Sequence, residues 1–235
     1  MVKSLLMASP PKPPWQITAR DPAELFSQFG LLGIRTPGRT GPKDQFAEEI
    51  YCLRRYLFPL ADSGLLRFPL TAAKSETPDF ILKWPQGKTI GLEVIKATRQ
   101  EFEADLTRFD QKQETKHYPS DPAAGTMELS SAGWAGNAVE REWVEYVLAS
   151  IANKLEDIDT YSVGGCDLLI YDNTPTGAPD LNMVAEILRL KLSTSQRGHS
   201  GRAFGVISVI RDPWLIYGIG EAYKILAYKP EWGVP

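Results

Sequence analysis

Apolar residues recur every third or fourth position in three long segments of this chain, and this spacing predicts three long α-helices. In one of them, Val139, Trp143 and Val147 step by four and form a continuous apolar face. A shorter helix is predicted at Asp21, which supplies an N-cap and is followed by proline at the first helical position. Pro59 is expected to end the second helix, because proline cannot continue the helical hydrogen bonds. The predicted helices span residues 21–29, 43–58, 137–158 and 181–192.

Short apolar runs between these helices predict β-strands. Two of the runs flank the segment Trp84-Pro85-Gln86-Gly87-Lys88, which has proline and glycine where a tight hairpin needs them. A third run, 166–171, is the kind of largely apolar segment that forms a strand buried on both faces. The predicted strands span residues 65–68, 80–82, 90–95, 166–171, 204–210, 214–217 and 223–228. Helices and strands that alternate in this way predict an α/β fold.

The chain is predicted to form one domain, 43–235, preceded by an N-terminal arm and short helix over residues 1–42. Its 235 residues can bury a sizeable core. Residues 8–20 are rich in proline and predict an extended or poorly ordered arm. Residues 99–137 begin with a highly charged stretch that predicts a solvated helix and continue into a stretch rich in Ser, Gly, Ala and Pro. We expect a mobile insertion there, able to close over a substrate.

The composition is that of an ordinary soluble globular protein, with 43% hydrophobic and 23% charged residues. No apolar run approaches the ~20 residues of a membrane span, so we expect no membrane partner. Cys52 and Cys166 lie in apolar segments without metal-ligand spacing and are expected to be reduced, as in a cytoplasmic protein. The net charge of −3 argues against a large nucleic-acid footprint. It still allows an acidic metal site within a locally basic groove.

Two carboxylates flank the predicted hairpin. If the turn centres on Gln86, Asp79 and Glu93 are equidistant from it and lie side by side on the two strands. Opposed cross-strand Cβ atoms are roughly 5 Å apart, and like charges at that distance destabilise each other. A divalent cation would relieve this conflict. Mg²⁺ is the obvious candidate, since it binds one or two carboxylates together with substrate phosphate oxygens.

Pro78-Asp79, followed after the hairpin by Glu93-Val94-Ile95-Lys96, resembles the PD-(D/E)XK motif of the restriction-endonuclease-like nuclease superfamily. The resemblance covers about residues 43–172. It implies an α-β-β-β-α-β core with a mixed central sheet flanked by helices. It also implies a nuclease that hydrolyses phosphodiester bonds, in DNA by expectation, with Mg²⁺ or Mn²⁺ held by Asp79 and Glu93.

The resemblance also implies a third metal ligand, because a glutamate from the first helix reaches the metal in several of these nucleases. Glu49 flanks the apolar stripe of the helix predicted at 43–58 and is the candidate. A surface glutamate at the edge of the stripe is the alternative.

The lysine of the motif is expected two residues after the acid, where this chain has Ile95. That lysine would orient or deprotonate the attacking water. Lys96 lies one residue later, on the opposite strand face unless a bulge returns it. Lys154 lies near the centre of the apolar stripe of helix 137–158 and is the preferred catalytic candidate. Its alternative is a side chain whose stem is buried and whose ammonium reaches water.

Two other interpretations remain open at the level of sequence. The chain could be a binding or interaction module that keeps the restriction-endonuclease-like fold without the chemistry. It could also be an unrelated α/β protein whose acidic residues are structural. The oligomeric state is not predicted.

Overall fold

The computed structural model describes residues 15–32, 45–97, 138–161, 163–172, 179–192, 203–219, 222–229 and 232. Within these residues the chain forms one mixed sheet of eight strands and four α-helices, which confirms the α/β class. The helices are α1 (Pro22–Leu31), α2 (Gln45–Asp62), α3 (Ala138–Glu156) and α4 (Leu181–Leu192). The strands are β1 (Gln16–Ala19), β2 (Leu70–Lys74), β3 (Phe80–Lys83), β4 (Thr89–Ala97), β5 (Cys166–Asp172), β6 (Ile207–Arg211), β7 (Trp214–Ile219) and β8 (Lys224–Ala227).

The eight strands lie side by side in chain order, from β1 to β8. Strands β1 to β4 are antiparallel to their neighbours, β4, β5 and β6 are parallel, and β6 to β8 are antiparallel again. Helix α3 lies between β4 and β5 in the chain, and α4 lies between β5 and β6. Parallel neighbours require such crossover connections, which is why helices occur at these two places.

Helices cover both faces of the sheet. Helices α1 and α2 pack on one face, which we call the α2 face, and α3 and α4 pack on the other, the α3 face. Side chains of β4 alternate between the two cores: Leu92 and Val94 lie in the α2-face core, and Ile95 and Ala97 lie in the α3-face core. Glu93 therefore projects towards the α3 face, because successive strand residues point to opposite sides.

The central hairpin has the predicted register. Phe80 pairs with Leu92 and Lys83 pairs with Thr89, so the turn is centred on Gln86. Its closing hydrogen bonds run from Trp84 N to Lys88 O (2.9 Å) and from Gly87 N to Trp84 O (3.0 Å). Gly87 has a φ of 79°, a left-handed conformation that glycine adopts without steric cost. Extending this register by one residue places Asp79 beside Glu93, as the sequence predicted.

Two predictions near the N-terminus are wrong. Helix α2 continues past Pro59 to Asp62, because the last turn packs Leu60 into the α2-face core. The apolar run 65–68 is not a strand: its first two amide groups donate to Leu60 O and close the end of the helix. The strand is instead Leu70–Lys74. Its outer neighbour is Gln16–Ala19, within the segment predicted to be extended or poorly ordered, and these four residues are extended.

The other predicted elements agree with the structure to within a few residues, and α4 has the predicted bounds. The predicted insertion at 99–137 lies outside the described residues. Among the described helices, none combines the length and apolar character needed to cross a lipid bilayer.

Candidate functional site

A cluster of charged and polar side chains lies on the α2 face, where β2 ends and β3 begins. The buried Cys52 thiol lies near it: burial raises the pKa of this thiol to about 12, and the charges of Glu48, Lys96, Glu49 and Asp79 also act on it. In open α/β sheets, ligands bind at the carboxyl ends of the parallel strands, and this cluster lies at that end of β4. We call it the α2-face cluster; it comprises Gln45, Glu48, Glu49, Lys74, Asp79 and Lys96.

Asp79 is held against the backbone of β4. Its Oδ2 accepts a hydrogen bond from Val94 N at 2.8 Å, and its Oδ1 lies 3.2 Å from Lys74 Nζ. Gly91 N donates to Gly165 O, towards β5, so the alternation of the strand directs Val94 N towards β3. Strand β3 begins only at Phe80, and the Asp79 side chain satisfies this amide instead. The carboxylate is therefore fixed next to the backbone that carries Glu93.

One ammonium group joins two of the predicted metal ligands. Lys74 Nζ lies 2.6 Å from Glu49 Oε2 and 3.2 Å from Asp79 Oδ1, and Gln45 Nε2 donates to Glu49 Oε1 at 2.8 Å. The lysine thus occupies the position between two carboxylates where a bound cation would lie. The sequence did not identify Lys74, because β2 was placed too early. With β2 at its observed position, Lys74 pairs with Phe80 and its nearness to Asp79 follows.

Glu93 binds a different lysine, on the other face of the sheet. Its Oε1 lies 2.7 Å from Lys154 Nζ, and Asp157 Oδ2 is 3.5 Å from the same ammonium. Burial acts to lower the pKa of Lys154, but the hydrogen bond and charge of Glu93 outweigh it, and the pKa is raised. The predicted lysine does meet a carboxylate. Its catalytic role stays a prediction.

Lys96 belongs to the α2-face cluster and pairs with Glu48 of α2. No register shift interrupts the pairing of β4 with either neighbour, so no bulge turns Lys96 towards Glu93. The two side chains lie on opposite faces of β4, as alternation requires. Lys96 therefore shares a face with Glu49 and Lys74, and Lys154 shares one with Glu93. Ile95, at the motif position for lysine, packs in the α3-face core.

The donor set suits a hard divalent cation, since it consists of carboxylate oxygens. Glu49 and Asp79 already face one cationic atom, so this pair fits a metal ion once the Lys74 ammonium moves aside. In the described part of the chain, no three His, Cys, Asp or Glu side chains come close enough to hold a metal together. A single ion shared by Asp79 and Glu93 stays a prediction.

Comparisons of this chain with protein-family models, with curated proteins and with solved structures give no match. Site geometry is therefore the basis for assigning a function.

Replacing Glu93 with glutamine should lower the free energy of unfolding by about 1 kcal/mol, because it removes the charge opposite a partly exposed ammonium. The pair also raises the pKa of Lys154 above 10.5. Its stabilisation should therefore be complete below pH 10.5 and be lost as the pH rises through the raised value. Urea unfolding of both chains at pH 8 and pH 11.5 measures this.

The matched control is Glu186→Gln. Glu186 forms an exposed ion pair with Arg189, three residues away on α4, and this pair should contribute little. A Glu93→Gln effect no larger than that of Glu186→Gln at pH 8 would show that the Lys154–Glu93 pair is not stabilising.

Proposed function

We propose that this chain has the restriction-endonuclease-like fold and hydrolyses phosphodiester bonds in DNA with Mg²⁺ or Mn²⁺. The order of elements supports the fold: α2, β2, β3, β4, α3 and β5 follow one another as α-β-β-β-α-β. Strands β2 to β4 form an antiparallel meander, and β5 joins β4 in parallel. A cytoplasmic location fits the two free, buried cysteines.

One observation carries the activity: the carboxylates of Glu49 and Asp79 converge on a single cationic atom at the carboxyl end of β4. Like charges held this close need a cation between them. In the resting chain Lys74 supplies it, and Asp79 and Glu49 would hold the metal when it binds. Glu93 is a ligand predicted from the sequence, but its side chain lies on the opposite face of β4, where it binds Lys154.

The bound metal would supply a water of lowered pKa and would offset charge on the scissile phosphate. The groups of the chain itself hold the metal ligands in position. Val94 N fixes one oxygen of Asp79, and Gln45 orients Glu49. Ordering the ligands before the metal binds lowers the cost of assembling the site.

Three lysines adjoin the acidic residues and are candidates to orient the attacking water. Lys74 contacts Asp79 and Glu49, Lys96 contacts Glu48, and Lys154 contacts Glu93. Lys154 and Lys96 are the candidates from the sequence, and the structure adds Lys74 as a third. A positive group that is already hydrogen-bonded to a metal ligand needs little movement to reach a water on that metal.

A second candidate function is a binding module without chemistry. It is favoured by one observation: each of the three predicted metal ligands is already paired with a lysine. Such pairing neutralises the carboxylates without a metal ion. Cleavage assays separate this candidate from the first.

The test is cleavage of supercoiled plasmid DNA by the purified chain with Mn²⁺, with Mg²⁺ and with excess EDTA. We expect nicked or linear product with either metal and none with EDTA. Glu49→Gln should slow cleavage by about 10- to 100-fold, because it removes one charged ligand and leaves the hydrogen bond to Gln45 available. A parallel assay with single-stranded RNA tests the choice of DNA.

The control variant is Asp62→Asn, which changes an acid paired with Lys229 away from the cluster and should cleave at the wild-type rate. If the wild-type chain binds DNA but cleaves nothing with either metal, the binding module is the correct reading. If Glu49→Gln cleaves as fast as Asp62→Asn, the α2-face cluster is not the active site.

A further inference from the structure

A cavity of about 410 Å³ lies at the end of the sheet opposite the α2-face cluster. It lies between the last turns of α2 and the hairpin turn. The first residues of β4 and β5 and the loop before β6 also line it. Glu49 and Leu60, one in each site, are 11 residues apart on α2, or about 16 Å along its axis at 1.5 Å per residue. The two sites share no residue, so the cavity is independent of the proposed nuclease site.

Aromatic and aliphatic side chains form the base and the sides of the cavity. Tyr56, Leu60 and Leu82 are buried at its base, and Trp84 and Tyr217 are half-buried at its sides. Trp84 is held in place, because its Nε1 donates to Arg67 O at 2.9 Å. Walls of this kind accept a planar ring, and a volume of this size is typical of small-molecule sites.

A buried carboxylate, Asp167, lies at the base. Its Oδ1 accepts a hydrogen bond from Val206 N at 2.9 Å, the one hydrogen bond that the described residues give this carboxylate. Burial raises the pKa of Asp167 to about 6, against the effects of the Val206 amide and the Lys88 charge. Burial is the largest cause that raises the pKa values of Tyr56 and Tyr217, and the charge of Asp167 is the next, so the carboxylate lies near both side chains.

The loop before β6, which contains Gly205 and Val206, packs directly against this carboxylate. A Cβ atom added to Gly205 would lie 2.9 Å from Asp167 Oδ1, so a larger residue would force either the loop or the carboxylate to shift. A largely buried carboxylate with one protein hydrogen bond keeps free acceptor capacity, and holding its charge in a mostly apolar cavity is costly. A ligand that donates an N–H group at the base would offset that cost.

The mouth of the cavity carries the opposite charge. Arg67, Gln86 and Lys88 line it and are exposed. Lys88 is near enough to lower the pKa of Asp167. Two cations and an amide donor at the mouth suit an anionic group of the ligand, such as a phosphate.

We propose that this cavity binds a nucleoside monophosphate whose base carries an amino group. The amino N–H donates to Asp167, the ring packs between the side walls formed by Trp84 and Tyr217, and the phosphate meets Arg67 and Lys88 at the mouth. Each part of the ligand matches one part of the cavity. The amino group matches the buried carboxylate, the ring matches the aromatic walls, and the phosphate matches the exposed cations at the mouth.

Isothermal titration calorimetry with adenosine 5′-monophosphate on the full chain tests the proposal. We expect saturable one-to-one binding. Purine riboside 5′-monophosphate, which lacks the amino group, should bind at least tenfold more weakly, since a hydrogen bond to a charged group is lost. Ribose 5-phosphate and adenosine, which lack the ring and the phosphate respectively, should also bind at least tenfold more weakly.

Two variants locate the site. Asp167→Asn keeps an oxygen for Val206 N but turns an amide N–H towards the ligand, and it should weaken binding of the adenine nucleotide at least tenfold. Lys88→Ala changes an exposed side chain, cannot disturb the core and should weaken binding about fivefold. Lys83→Ala, at the exposed end of β3 and outside the cavity lining, should bind as wild type.

Three results would overturn the proposal. One is no saturable binding of adenosine 5′-monophosphate up to about 10 mM, which corresponds to an affinity too weak for a built site. Another is equal affinity for the nucleotides with and without the amino group. The third is binding that Lys88→Ala and a folded Asp167→Asn leave unchanged, which places the ligand elsewhere.

Discussion

Replacing Asp172 with alanine is expected to lower the free energy of unfolding by about 3–5 kcal/mol, the usual cost of removing one partner of a buried ion pair. The Asp172 side chain is 0% exposed at the end of β5. Its Oδ2 accepts hydrogen bonds from Trp143 Nε1 at 2.6 Å and from Arg211 Nη1. Alanine would remove the acceptor that α3 and β6 share, and both donors are well buried. Urea unfolding followed by circular dichroism measures the loss.

Asp172→Asn separates charge from hydrogen bonding in this network. Both donors reach the same oxygen, so an asparagine oxygen can accept from both while the negative charge is lost. We expect this variant to lie between wild type and alanine. The control is Asp62→Ala, which breaks an exposed pair with Lys229 and should cost less than 1 kcal/mol. If Asp172→Ala costs no more than Asp62→Ala, the network does not hold α3 to the sheet.

Local sequence patterns predicted the elements that depend on near neighbours. Helix α4 follows from its periodicity and cap, and the register of the hairpin follows from the position of Gln86. Strands β1 and β2 were missed because neither is strongly apolar, and β1 pairs only with β2, whose residues are more than 50 positions away. The apolar run 65–68 was misassigned because apolar residues that close the end of a helix resemble a short strand.

In the candidate site, too, the features that depend on local pattern were predictable. The register placed Asp79 beside Glu93, and the helical wheel placed Lys154 where it meets a carboxylate. Lys74 was not predicted as part of the site, because the strand that carries it, β2, was not predicted. The role of Asp172 was not predicted, because nothing local in the sequence indicates that Trp143 and Arg211 converge on it. Contacts between distant side chains depend on the packed fold, which one sequence does not specify position by position.

Asp79→Ala is expected to reduce metal-dependent DNA cleavage by at least about 1,000-fold, or about 4 kcal/mol of transition-state stabilisation. Asp79 is the acid that contacts both the β4 backbone and Lys74, and through Lys74 it is linked to Glu49. Alanine removes the proposed metal ligand and leaves Val94 N without this acceptor. The activity loss combines both effects, so a second variant is needed to separate them.

Asp79→Asn makes that separation. Its side-chain oxygen can still accept the Val94 hydrogen bond, so the chain should unfold close to the wild-type denaturant midpoint. It lacks the negative charge that a divalent cation requires, so cleavage should fall nearly as far as in the alanine variant. Isothermal titration with Mn²⁺ should show at least tenfold weaker binding for both variants and no change for Asp62→Asn. A stable Asp79→Asn chain that cleaves DNA at the wild-type rate would exclude Asp79 as a metal ligand, because a neutral amide cannot replace the carboxylate in that role.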